Sequence, residues 1–260
     1  MMNVILRGVP TVLLPGTGSD DNYVYRAFSA ALHDAGALVV TPPPTPEKLV
    51  KGYLHALDEA ARSGPIAVGG VSIGAVVAAR WALDHPSRAV AVLAALPPWT
   101  GSSQHAPAAL LARQSAESLR RDGLAATVAQ MRASSPPWLA DELARSWVGL
   151  WPDLPDAMEE AAGYRAPEGA ELEGLRVPMG VAVATDDPVH PAEVGYEWVA
   201  AAPQAALRSV TLEQMGLDTG VLGAACVAAL AEATGDSATS DSATSDRAAS
   251  DRAASDNQAG

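Results

Sequence analysis

The residues best suited to chemistry are Gly70-Val71-Ser72-Ile73-Gly74. A G-x-S-x-G run puts a serine on a tight strand-to-helix turn, where flanking residues must lack bulk for the hydroxyl to stand free. The chemistry that suits such a serine is attack on an acyl carbon. It needs a base, because an unassisted serine hydroxyl is a poor nucleophile. Two more groups sit where an acyl transfer could use them. Asp186-Asp187-Pro188 closes an apolar run, and His190 follows three residues after Asp187. Pro15-Gly16-Thr17-Gly18 closes an earlier apolar run and offers backbone N–H groups in a glycine turn.

The elements around these residues give the short pattern its weight. TVLLPG (11–16), ALVV (37–40), PIAVGGVS (65–72) and AVAVLAALP (89–97) read as buried strands. Between them lie helical patterns over 22–35, 46–62 and 73–85. Continuous apolar strands joined by amphipathic helices predict a mostly parallel sheet covered on both faces. From Trp99 to about Arg176 the pattern is helical, with segments near 106–122, 138–150 and 154–164. Strands resume at VPMGVAVAT (177–185) and LRSVTL (207–212), with helices near 192–201 and 219–233. A helical stretch this long between two strands exceeds an ordinary connection and predicts a cap over the carboxyl ends of the strands, where such sheets bind ligands. The expected organisation is a core from 1–98 and 177–235, a cap from 99–176, and a repeat tail from 236–260. That tail is five pentads opened by Asp236, Asp241, Asp246, Asp251 and Asp256. It lacks aromatic and branched aliphatic side chains, a composition expected of a disordered segment.

Over roughly residues 10–233 the sequence resembles the α/β-hydrolase superfamily, especially small actinobacterial hydrolase-like proteins. The resemblance implies an α/β-hydrolase fold with Ser72 as nucleophile, framed by Gly70 and Gly74. It implies an oxyanion hole formed by the backbone N–H groups of Thr17 and Ile73, beside Gly16. Asp187 would be the triad acid, with Ala184 in place of the family's glycine and Asp186 as the alternative. Trp99, straight after the strand at 89–97, is expected on the pocket floor. Trp138, Trp147 and Trp151 have the spacing of helix-packing residues.

One family feature is missing. The histidine should follow the last strand, within Glu213 to Asp218, but Leu217 stands after Gly216 where a Gly-His pair is expected. The five histidines are His33, His55, His85, His105 and His190, all earlier in the chain. His190 is the best stand-in, since its loop begins at the acid; His105 is the alternative, and the other three read as surface residues. The expected function is a serine hydrolase of a small ester, thioester or lactone. A catalytically silent ligand-binding protein is one alternative, and a lyase or cyclase using the same pocket is another.

Bulk properties narrow the classes further. The 260 residues are 48% hydrophobic and carry a formal net charge of −13. That balance argues against nucleic acid or an anionic membrane surface as partner, since both select basic patches. The expected partner is a small-molecule substrate, with oligomeric state open. Cys226 is the single cysteine, so no internal disulfide is possible. With no signal-like run in Met1 to Pro10 and no apolar stretch of roughly 20 residues, the expected location is cytoplasmic. No HxxxH, HExxH or paired Cys/His spacing suggests a metal, and no cofactor is expected.

Overall fold

The structure, a computed structural model, describes residues 6–235. The pentad segment from Asp236 lies outside the described residues. Six strands form one sheet: β1 (Pro10–Leu14), β2 (Leu38–Val40), β3 (Ile66–Val71), β4 (Ala89–Ala95), β5 (Met179–Ala184) and β6 (Ala205–Val210). Their order is β2-β1-β3-β4-β5-β6 and every neighbouring pair is parallel. Parallel pairing requires a crossover after each strand, and the helical patterns between the apolar runs supply it.

Side chains alternate along each strand and so build two cores. Val12, Leu14, Val68, Val92, Val181 and Val183 face one side. There they meet Tyr53 and Leu57 of α2 (Leu49–Ala60), Trp81 of α3 (Ile73–Asp84) and Trp198 of α8 (Ala192–Ala201). Leu13, Ala67, Leu93, Ala182 and Ala184 face the other side, against Phe28 and Leu32 of α1 (Asp21–Asp34) and Leu222 and Leu230 of α10 (Gly220–Ala233). Small residues let α10 approach closely. A Cβ on Gly180 would lie 2.3 Å from the Cys226 carbonyl oxygen, and one on Gly223 would lie 2.1 Å from that of Ala27. Cys226 is fully buried, and its Sγ donates to the Gly180 carbonyl at 3.2 Å. Burial pushes the thiol's pKa up, so it behaves as an inert packing group.

Between β4 and β5 the chain is helical: α4 (Pro107–Ser134), α5 (Pro137–Leu150), α6 (Leu154–Gly163) and the short α7 (Gly169–Leu172). The sequence pattern ends a helix near 122, but α4 runs on to Ser134. Gly123 takes φ 79° and ψ 171° and kinks the helix instead of stopping it. Beyond the kink Leu124, Val128 and Met131 recur at helical spacing and pack on a third apolar cluster, with Leu119, Trp147, Leu154 and Met158. The last strand also differs from expectation. It ends at Val210, because Thr211 caps a short helix, α9 (Leu212–Leu217), through a reciprocal capping box with Gln214. Among the described residues no helix is long and apolar enough to cross a membrane.

Candidate active site

Ser72 sits between β3 and α3 with φ 56° and ψ −119°. A left-handed φ is costly for a residue with a Cβ and persists only where the surroundings enforce it. They do so here by close approach. A Cβ on Gly70 would fall 2.3 Å from the Leu14 carbonyl oxygen, and one on Gly74 would fall 2.2 Å from the same atom. The end of β1 therefore passes directly behind the turn, and only glycines fit. A Cβ on Gly16 would contact the Ser72 Cβ at 3.5 Å, so the loop carrying Thr17 leans on the elbow. Leu96, just after β4, is the other non-glycine residue with positive φ among the described residues, at 50°.

The serine hydroxyl meets an imidazole and then a carboxylate. His190 Nε2 lies 3.0 Å from Ser72 Oγ, and His190 Nδ1 lies 2.8 Å from Asp187 Oδ2. Asp187 Oδ1 accepts the backbone N–H of Val189 at 2.8 Å and that of His190 at 3.3 Å. The loop after β5 thus closes on the second of its two carboxylates and turns the ring toward the elbow. Burial raises the Asp187 pKa. The hydrogen bond and charge of His190, with the two backbone donors, outweigh that and hold it below the ordinary carboxylate range. At 8% side-chain exposure the carboxylate is well shielded from solvent. Asp186 points elsewhere and accepts the Leu212 N–H at 2.7 Å.

The other histidines stand apart from this arrangement. His33, His55 and His105 are exposed, His85 is half-buried and stacked on Trp81, and none lines the cavity above Ser72. The segment where a family histidine would stand is α9. Leu217 is 84% exposed, while Leu212 and Met215 of the same helix face the cavity. Ile73 is the first residue of α3, where a backbone N–H has no helical partner, and Thr17 lines the cavity.

That cavity measures about 490 Å³ and reaches Ser72, Asp187 and His190. Trp99 lines it and donates its indole N–H to the Tyr164 carbonyl at 3.2 Å. Trp138 and Trp147, read from sequence as packing residues, also line it, whereas Trp151 does not. Trp147 does both, since its remaining surface joins the third apolar cluster. Among the described residues no group of three His, Cys, Asp or Glu side chains could hold a metal ion.

One set of contacts had no sequence signal, because its members lie over a hundred residues apart. Helix α5 is fastened to the loop after β1. Ser146 Oγ donates to the Gly18 carbonyl, and Arg145 pairs with Asp20. Arg26 of α1 pairs with Glu142 of α5 at 2.6 Å. Gly18, at φ 71°, lies so close to Trp147 that a Cβ would sit 2.7 Å from the indole nitrogen.

No protein-family model matches the chain, and no curated protein does. Solved structures do. A carboxylesterase of the thaumarchaeon Nitrososphaera gargenis is 18% identical, with 82% of this chain and 85% of that chain covered at a TM-score of 0.64. A thermophilic esterase from Thermogutta terrifontis is 19% identical, covering 79% and 82% at a TM-score of 0.59. An enol-lactonase from Burkholderia xenovorans is 20% identical, covering 80% and 84% at 0.59. The chain has the α/β-hydrolase fold.

Proposed function

We propose that the protein is a serine hydrolase of small esters, thioesters or lactones, with Ser72 as nucleophile, His190 as base and Asp187 as the acid that orients it. The observation that carries this reading is the hydrogen-bonded chain from Asp187 through His190 to Ser72, at 2.8 and 3.0 Å. Ser72 Oγ attacks the acyl carbon while its proton passes to His190 Nε2. The carbonyl oxygen becomes an oxyanion held by the Thr17 and Ile73 N–H groups. Collapse breaks the bond to the leaving oxygen or sulfur, which takes the proton from His190. Water then gives a proton to His190 and attacks the acyl-serine, releasing the acid and restoring the Ser72 hydroxyl. Asp187 accepts the Nδ1 proton's hydrogen bond throughout and stabilises the imidazolium. Residues 99–176 act as the cap that shapes the acyl site, and the esterase and lactonase names of the structural neighbours agree with this class of substrate.

The rival readings, a silent binder or a lyase, drew their support from a missing base. A ring within 3.0 Å of the serine weakens both. A binder also has no use for a serine held at φ 56°. The test is labelling with a fluorophosphonate probe near neutral pH. Wild-type protein should be modified and Ser72→Ala should not; folded wild-type protein that stays unlabelled would return the binding reading.

A further inference from the structure

The cavity above Ser72 has a one-sided charge inventory. Leu96, Trp99, Leu111, Met131, Leu143 and Met158 are among its apolar lining residues, and the polar ones include uncharged side chains such as Gln114, Ser115 and Gln130. Among the described residues that line it there is no lysine or arginine; its formal charges are the carboxylates of Glu142 and Asp187. Arg26 and Arg145, the basic partners of the lining residue Glu142, are held in ion pairs with Glu142 and Asp20. Tyr23 also lines the wall, and its hydroxyl stays neutral because burial, with Glu142 and Asp187 nearby, raises its pKa.

We infer that the site selects uncharged acyl substrates and rejects those whose acyl portion carries a carboxylate or phosphate. An anion entering this cavity would shed its hydration and meet no cation in exchange. An uncompensated buried charge is among the most expensive groups a site can be asked to hold. A neutral ester or lactone with an apolar acyl portion loses only water that the leucine, methionine and tryptophan wall replaces favourably. The catalytic half of this statement rests on the hydrolase reading; the binding half does not.

Two measurements keep those halves apart. In Ser72→Ala protein, binding is followed by the fluorescence of the cavity tryptophans Trp99, Trp138 and Trp147. Methyl hexanoate should bind at least about 10-fold more tightly than monomethyl adipate, whose far end is a carboxylate. In wild-type protein, kcat/KM for p-nitrophenyl hexanoate should exceed that for the mono-p-nitrophenyl ester of adipate by about 10²-fold. Leu111→Lys, at a half-exposed lining position, should narrow the neutral-to-anionic ratio in both assays. Glu142→Gln, which removes a lining carboxylate and frees Arg26 while Arg145 keeps Asp20, should narrow it again, with melting temperature confirming that each variant is folded. Equal or tighter binding of the adipate ester would overturn the inference even where fluorophosphonate labelling of Ser72 succeeds. Selective binding of the neutral ester without labelling would support it while sinking the hydrolase reading.

Discussion

His190 must satisfy two partners at once, and the loop that carries it does most of the work. Its Nδ1 faces Asp187 and its Nε2 faces Ser72, which leaves only one productive protonation pattern for the neutral ring. His190→Ala should therefore lower turnover by about 10²-fold or more, the usual scale of general-base assistance. The same change at exposed His33 or His55 should cost little in a steady-state esterase assay. Asp187 ties stability to pH. Its pKa is held below the ordinary value, so its contribution to stability is full at neutral pH and disappears only as pH falls through that lowered value. Asp187→Asn should then lose stability near neutrality but lose less as the pH drops, which thermal melts across pH would show. Placing the family's histidine by Leu217→His should not raise activity, because that side chain is 84% exposed and outside the cavity wall. A gain in kcat from that variant would mean α9 rearranges. Ser72, Asp187 and His190 were all legible in the sequence, because the glycine spacing, the strand end and the three-residue offset are local. What the sequence did not carry was the ring's orientation, which depends on two backbone N–H groups closing onto Asp187.

Helix α5 decides how firmly the loop after β1 is held. Ser146 reaches the Gly18 carbonyl, next to Thr17, and is 4% exposed, so water cannot readily replace the bond it makes. Ser146→Ala leaves that carbonyl short of a donor, at a cost of about 1–3 kcal/mol for an unsatisfied buried group. The loop carrying the Thr17 N–H is then less well placed. The expected outcome is a drop in kcat with KM little changed, and Ser146→Thr should restore part of it. A variant that raised KM alone would place Ser146 in substrate binding instead. The helices of this region were readable from periodicity, yet their docking was not, since Gly18 and Ser146 share no sequence signal. Gly123 misled for a related reason. A glycine is a common helix stop, but here Leu124, Val128 and Met131 supply enough burial to carry the helix past it.

Across the whole molecule, alternation of apolar strands with amphipathic helices predicted the parallel sheet well. The strand order was not in that pattern, because pairing depends on which helices cover which face. Tight packing by small residues is what the alanine-rich composition provides, and it leaves little slack. Gly223→Ala would set a Cβ 2.1 Å from the Ala27 carbonyl oxygen and force α10 away from α1. Overpacking of that kind costs about 1–3 kcal/mol, which lowers the melting temperature by several degrees in a chain of this size. An unchanged melting temperature would show that the two helices part easily. The feature with the widest consequence is the single loop that bears both Asp187 and His190. A relay assembled from two strands would drift out of alignment whenever those strands slipped. Here the pair is a self-closed cassette of four consecutive positions, and edge strand β6 contributes no reacting group. That edge holds no member of the Asp187–His190–Ser72 chain, and the one span joining cassette to elbow is the 3.0 Å contact between His190 and Ser72. Among the described residues after Pro191, Leu212 and Met215 lend the site wall and the rest holds β5 in place.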